Sequence, residues 1–332
     1  MTPDLTHGGA LDIMRAAYPN AREPWIDLST GINPWPYPHC KITAEALAHL
    51  PTRAAQQSCL EAMATAMGTA PKALLLAPGS ELLIRLLPDV IKPARVAVLS
   101  PTYGDHKAVW TRAGAEVIET YDPLAHASTA DAVVITHPNN PDGRLFDKHA
   151  LEEARRTLAQ RSGWLIVDEA YADLMPKCSL LRSGTKEALL VLRSFGKFFG
   201  LAGLRLGAMS APEPVKEAMA ERLGVWPVSG AALEIGARAY ADLAWQAETR
   251  KRLHEAANRL DAILRSNGLE PVGGTALYRF VRALNAHDIF DSLARQGIYV
   301  RRFAWTDKHL RIGLPATTEA AARLQAALSL LT

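Results

Sequence analysis

Leu192-Arg193-Ser194-Phe195-Gly196-Lys197-Phe198-Phe199-Gly200-Leu201-Ala202-Gly203-Leu204-Arg205-Leu206-Gly207 decides the reading of this chain. Ala188 to Leu192 is an apolar run that reads as a buried strand, and a loop rich in glycine and phenylalanine follows it. Lys197 stands in that loop. A lysine beside an apolar strand end must pair, lose its charge or become covalently modified, because burying a bare ammonium is costly. The plainer reading is a stem packed on apolar surface with its amine in water.

Two upstream segments bear on the choice. Asp131 to Thr136 reads as a buried strand and leads into His137-Pro138-Asn139-Asn140-Pro141-Asp142-Gly143. Trp164-Leu165-Ile166-Val167-Asp168-Glu169-Ala170-Tyr171 is a second apolar strand, ending in a carboxylate. In an open parallel sheet, polar residues at the carboxyl ends of strands face the ligand crevice. Asn140, Asp168 and Lys197 are therefore expected at one end of neighbouring strands. Taken singly, Asn139-Asn140-Pro141 also suits an ordinary turn, Asp168 a cap, and Tyr171 core packing.

Together they are what pyridoxal phosphate requires. A buried carboxylate (Asp168) keeps the pyridine nitrogen protonated. Amide and hydroxyl donors (Asn140, Tyr171) serve the phenolic oxygen, and a lysine (Lys197) bonds to the aldehyde carbon. The pattern P-N-N-P-x-G, then D-E-A-Y, then S-x-x-K with Arg205 eight residues on resembles the fold-type I pyridoxal-phosphate enzymes of the aminotransferase class I/II group. The resemblance spans roughly residues 7 to 330. It implies those four roles, with Ser194 and Arg205 at the cofactor phosphate.

Other segments fit the same reading. Ala73 to Ala77 reads as a strand, Pro78-Gly79-Ser80-Glu81 as a turn, and Leu82, Leu83, Leu86 and Leu87 recur at helical spacing. A helix N-terminus after a glycine turn suits an anion, although a simple connection has the same signature. By resemblance Gly79, Ser80 and Glu81 form the phosphate-cradling turn. Arg95 to Leu99 is a strand, and Tyr103 beyond it matches the family's stacking aromatic.

The 332 residues are 48% hydrophobic and 21% charged, with net charge +3, the balance of a soluble enzyme with no strong pull toward nucleic acid or membrane. Cys40, Cys59 and Cys178 are too few and scattered for a disulfide framework or a metal site. Neither a signal peptide nor a bilayer-spanning run is visible, and a reducing cytoplasm is the expected setting.

The expected fold class is α/β, with a mostly parallel-sheet large domain and a smaller α+β domain. The expected boundaries are an N-terminal segment at 1–40 that wraps over the active site, a large cofactor-binding domain at 41–212 and a small C-terminal domain at 213–332. In the last, a helical stretch from Ser229 to Asn267 precedes a strand at Ala276 to Val281, a helix at Ala286 to Gln296, strands near Ile298–Phe303 and His309–Ile312, and a final helix from Thr317.

Arg311, in Leu310-Arg311-Ile312-Gly313, reads by itself as an exposed edge charge. The resemblance makes it the two-pronged grip on a substrate carboxylate. Alternation sends only one of Arg301 and Arg302 inward, and Arg301 is the expected one. Thr6-His7-Gly8-Gly9 and Asp27-Leu28-Ser29-Thr30-Gly31-Ile32-Asn33-Pro34 resemble the threonine-phosphate decarboxylases of cobalamin biosynthesis. That resemblance implies decarboxylation of L-threonine O-3-phosphate by a homodimer. His7, Gly8 and Gly9 then serve the substrate phosphate, and Asn33 its carboxylate. Histidinol-phosphate aminotransferases share the rest of the pattern and are the alternative. Two positions depart from it: Leu50 stands where relatives place a tyrosine that reaches the partner subunit, and Gly196 replaces the Ser or Thr before the lysine.

Overall fold

The computed structural model describes residues 7–38 and 42–331, the side chain of Ser183 excepted. Thr6 and Cys40 lie outside the described residues. The chain opens with α1 (Leu11–Ala17), β1 (Ile26–Leu28), α2 (Ala44–Ala48) and α3 (Arg53–Met67). An alternating stretch follows: β2 (Leu74–Ala77), α4 (Ser80–Ile91), β3 (Arg95–Leu99), α5 (Asp105–Arg112), β4 (Glu116–Thr120), β5 (Ala132–Thr136), α6 (Lys148–Ala159) and β6 (Trp164–Asp168). Then come β7 (Leu189–Ser194), β8 (Gly207–Ser210), α7 (Glu213–Leu223), α8 (Gly230–Ala241) and α9 (Leu243–Ser266). The chain ends with β9 (Glu270–Thr275), β10 (Tyr278–Arg282), α10 (Ala286–Arg295), β11 (Ile298–Phe303), β12 (Thr306–Gly313) and α11 (Thr318–Ser329).

The larger of two compact units holds residues 36–140 and 144–246. Its seven strands run in the order β2-β8-β7-β6-β5-β3-β4. Only β8 opposes the others, pairing antiparallel with both β2 and β7. The central strands are apolar along their length because both faces are covered: every residue of β5 is buried, as are Leu165 to Asp168 of β6. Leu83, Leu87, Trp110, Val134, Ile166, Leu192 and Met209 form the core of this unit. Helix starts follow the local chemistry. The hydroxyl of Thr52 accepts the Ala55 N–H, and one Asp147 carboxylate oxygen accepts those of His149 and Ala150.

The other unit holds residues 1–35, 141–143 and 247–332. Its sheet runs β1-β11-β12-β10-β9, so the N-terminal segment contributes a strand, parallel to β11. The sequence pattern changes near residue 212, yet the units part at 246/247, because α7 packs on α4 and α8 packs on α3. The helical stretch expected from Ser229 to Asn267 is two helices. Asp242 breaks it, and its side chain accepts the Trp245 N–H at 2.9 Å, starting the second helix. Strand β9 carries Pro271, Gly273 and Gly274, which hide it from a propensity reading. The glycines belong there because a Cβ on Gly273 would stand 2.3 Å from the Asp142 carbonyl oxygen and one on Gly274 2.4 Å from the Tyr278 carbonyl oxygen.

Candidate active site

The larger unit brings the predicted cofactor residues to one edge of its sheet. Thr136 pairs in register with Asp168, and Asp168 with Leu192. Asn140, Asp168, Tyr171 and Lys197 therefore follow the carboxyl ends of three adjacent parallel strands. Strand β3 delivers Tyr103 to the same end, and β2 delivers Gly79. Ala77 and Ser194 both pair with Gly207, which gathers the Gly79 turn, Ser194 and Arg205 around the start of β8.

Lys197 is half-buried in a loop pinned by three fully buried rings, Phe195, Phe198 and Phe199. Phe195 and Phe199 stack at 4.5 Å, and Phe199 stacks on Trp245 at 5.7 Å. Gly196 is required by space, since a Cβ there would meet Ala202 Cα at 2.7 Å. The missing Ser or Thr before the lysine is thus a packing choice.

Asp168 is buried. One carboxylate oxygen accepts the Ala170 N–H at 3.0 Å, and the other lies 3.0 Å from Nε2 of His106, itself buried. His106 was not among the residues singled out from sequence. Its only signal is a position three after Tyr103, on the buried side of α5. Tyr103 donates to Asp105 at 2.8 Å, and burial pushes its phenol well above the ordinary range. Tyr171 is buried and Asn140 half-buried; Asn139 fixes the loop of Asn140 by accepting from Thr102 Oγ1 at 2.6 Å and donating to the Pro101 carbonyl at 3.1 Å.

Gly79 caps α4 with φ +88°. A Cβ there would stand 2.8 Å from Arg205 Nη2, so the guanidinium lies against bare backbone at a helix N-terminus. Glu81 of the same turn engages Arg85 at 2.9 Å and stands 3.8 Å from Arg205. Beneath the site, buried Arg193 bridges Glu169 (3.2 Å) and Asp173. Burial opposes the Arg193 charge, but the Asp173 and Glu169 carboxylates raise its pKa overall. The same burial pushes the Glu169 carboxyl up.

The smaller unit holds a cationic pair. Arg301 of β11 stands directly opposite Arg311 of β12, so both side chains share a sheet face. Arg311 is buried, donates from Nη2 to the Ser29 carbonyl at 2.6 Å, and lies 5.0 Å over the Tyr278 ring. Burial, then the Arg311 charge, lower the Arg301 pKa to about 10. Arg302 points to the other face, 4.8 Å over the Phe290 ring. Asn33 is buried, with its amide oxygen accepting the Trp35 N–H at 2.9 Å. His7 is exposed, Gly8 half-buried and Gly9 exposed.

The family model for aminotransferase class I and II matches residues 23–328, and the chain belongs to that family. The chain is 40% identical to a threonine-phosphate decarboxylase of Pseudomonas aeruginosa over 98% of this chain and 97% of that one. It is 38% identical to a threonine-phosphate decarboxylase of a Sinorhizobium species over 99% of each. Its fold matches the structure of histidinol-phosphate aminotransferase from Sinorhizobium meliloti in complex with pyridoxal 5'-phosphate, with TM-score 0.81 and 18% identity, covering 96% of this chain and 94% of that one.

The residues of the larger unit fit pyridoxal phosphate. The bare Gly79 backbone, the first-turn N–H groups of α4, the Ser80 hydroxyl and Arg205 suit a phosphate dianion. A buried carboxylate held by His106 suits a protonated ring nitrogen, and the Lys197 amine suits an aldehyde.

Proposed function

We propose that this protein is a pyridoxal-phosphate-dependent lyase that decarboxylates L-threonine O-3-phosphate to (R)-1-aminopropan-2-yl phosphate, a step of cobalamin biosynthesis, in the cytoplasm. Identity of 40% and 38% over nearly the full length of two threonine-phosphate decarboxylases carries the reading. The cofactor supplies an electron sink for the pair released when a bond at the substrate α-carbon breaks. Asp168 keeps the ring nitrogen protonated, with His106 holding the carboxylate in place. Asn140 and Tyr171 donate to the phenolic oxygen, and Tyr103 covers the ring. The Gly79-Ser80-Glu81 turn, Ser194 and Arg205 hold the cofactor phosphate. Lys197 would hold the aldehyde carbon until the substrate amine displaces it, and its freed amine would then carry the proton returned to the substrate α-carbon once carbon dioxide has left.

The bond that breaks depends on how the substrate is oriented at its two anionic ends. Arg311 and Asn33 take the carboxylate, and His7, Gly8, Gly9 and Arg301 take the phosphate. Two arginines side by side on one sheet face repel each other, and anions between or beside them relieve that repulsion.

The active species is a homodimer. Leu47, Leu50, Val225 and Trp226 of the larger unit are 70%, 64%, 74% and 53% exposed. Gly230 packs against Ala46, which brings the segments that carry them together. Burying such side chains against a second copy is favourable.

The test is incubation of pure holoenzyme with L-threonine O-3-phosphate and no keto acid. Release of carbon dioxide in step with aminopropanyl phosphate over many turnovers supports the reading. Accumulation of the aminated cofactor, with a keto acid needed to restore it, shows an aminotransferase of the histidinol-phosphate kind instead.

A further inference from the structure

Ser29 is fully buried and joins two segments far apart in sequence. Asp27 Oδ1 accepts the Ser29 backbone N–H at 2.8 Å and its hydroxyl at 2.6 Å. The hydroxyl has a single hydrogen, so the bond to Asp27 leaves a lone pair of Oγ facing Gly9, whose N–H donates to it at 2.8 Å. The Ser29 carbonyl meanwhile accepts Arg311 Nη2 at 2.6 Å. The glycines of the N-terminal segment are shaped to this residue. A Cβ on Gly8 would stand 2.5 Å from the Ser29 carbonyl oxygen, and Gly9 has φ +87°. Tyr299 completes the junction by donating to the His7 carbonyl at 3.3 Å.

We propose that Ser29, oriented by Asp27, is a positioning residue that fixes the distance between the His7–Gly9 segment and Arg311. It thereby selects substrates whose carboxylate and phosphate are a set distance apart: short α-amino acids phosphorylated on the side-chain oxygen. This rests on the phosphate and carboxylate roles given above. Arg311 keeps its carbonyl partner when the hydroxyl is deleted, so the two ends of the substrate respond differently.

The experiment uses holoenzyme carrying Ser29→Ala, with binding of threonine phosphate and of threonine read from the cofactor absorbance. Of the bonds the Ser29 hydroxyl makes, the one from the Gly9 N–H bears on the substrate phosphate, and its loss, at roughly 1 kcal/mol, predicts an approximately fivefold weaker Kd for threonine phosphate. The Kd for threonine should stay within about twofold. Amide exchange in the peptide containing Gly9 should quicken while the rest of the exchange map is unchanged. Asp27→Ala should reproduce both effects, the double variant should be no worse than either single one, and Asp27→Asn, which keeps Oδ1, should behave as wild type. Equal losses for both ligands, additive losses in the double variant, or unchanged exchange at Gly9 would overturn the proposal. If Ser29→Ala does not fold, the Asp27→Ala and Asp27→Asn pair decides by the same readings. If the wild-type holoenzyme fails to decarboxylate threonine phosphate, the functional reading falls, and exchange at Gly9 still judges Ser29.

Discussion

His106 Nε2 lies 3.0 Å from Asp168 Oδ2, with both side chains buried. The contact joins the start of α5 to the end of β6 across 62 residues of chain. It gives Asp168 two fixed hydrogen-bond donors, the Ala170 N–H and the imidazole. A carboxylate so held keeps its orientation in a place where an unsupported one would be costly.

Asp168→Asn keeps the shape and removes the charge. Turnover on threonine phosphate should fall by roughly 10³, the scale of losing a main electrostatic element of a site. A variant within about tenfold of wild type in steady-state carbon dioxide release would refute the role.

His106→Leu removes the second donor and leaves a carboxylate oxygen of Asp168 buried without it. The expected cost is roughly 1–3 kcal/mol in unfolding free energy, measured by urea denaturation of the apoprotein. His106→Gln can restore a donor and should recover part of the loss. Full stability in the leucine variant would show that the contact contributes nothing.

Lys197→Ala should bind pyridoxal phosphate without a covalent link. After borohydride treatment, intact-mass measurement should show the cofactor retained on the wild type and absent from the variant. Retention on the variant would place the link at another residue.

Arg301→Met should raise stability in the absence of anions by about 0.2–1 kcal/mol, the range for relieving like charges directly opposite across strands. It should at the same time weaken binding of threonine phosphate. Thermal melts with and without added inorganic phosphate check both parts: phosphate should raise the wild-type Tm more than that of the variant. A variant that is less stable and binds as well as wild type would contradict the assignment.

Burial lowers the His137 pKa to about 4, and Nδ1 of the ring accepts the Phe146 N–H at 3.2 Å. Between about pH 4 and 6.5 the unfolded chain holds a proton at this position that the native state lacks, so stability rises with pH across that window. As pH falls through it, up to about 3 kcal/mol should be lost on this account. Urea melts from pH 7 to 4 should show a shallower loss in His137→Gln. An unchanged slope would place the acid sensitivity elsewhere.

The linear pattern was enough to show where the proposed cofactor residues fall along the strands. Asp168 and Lys197 follow unbroken apolar runs. A parallel sheet covered on both faces needs such runs, and it puts whatever follows them at one edge. The identity of the polar residue after each run was therefore legible in the linear pattern, while strand order and register came from the fold. The larger unit's sheet matches that expectation, and the P-N-N-P, D-E-A-Y and S-x-x-K motifs mark its strand ends.

Tertiary structure alone decided the rest. His106 reads as any helix histidine until α5 packs it against Asp168. Strand β9 is masked by Pro271, Gly273 and Gly274; Gly273 answers to the close approach of Asp142, and Gly274 to that of Tyr278 and Arg279 across the hairpin. The helix break at Asp242 is a single capping interaction within an otherwise helical composition. Arg301 and Arg302 are adjacent and identical in type, and only the pairing of β11 with β12 sends the first to the face of Arg311. Ser29 is one serine in a plain motif; its role appears when β1 pairs with β11 and Gly9 and Arg311 meet on either side of it. Local periodicity reports what an element buries. Which distant residues share a hydrogen bond depends on packing between elements, and no local pattern carries that.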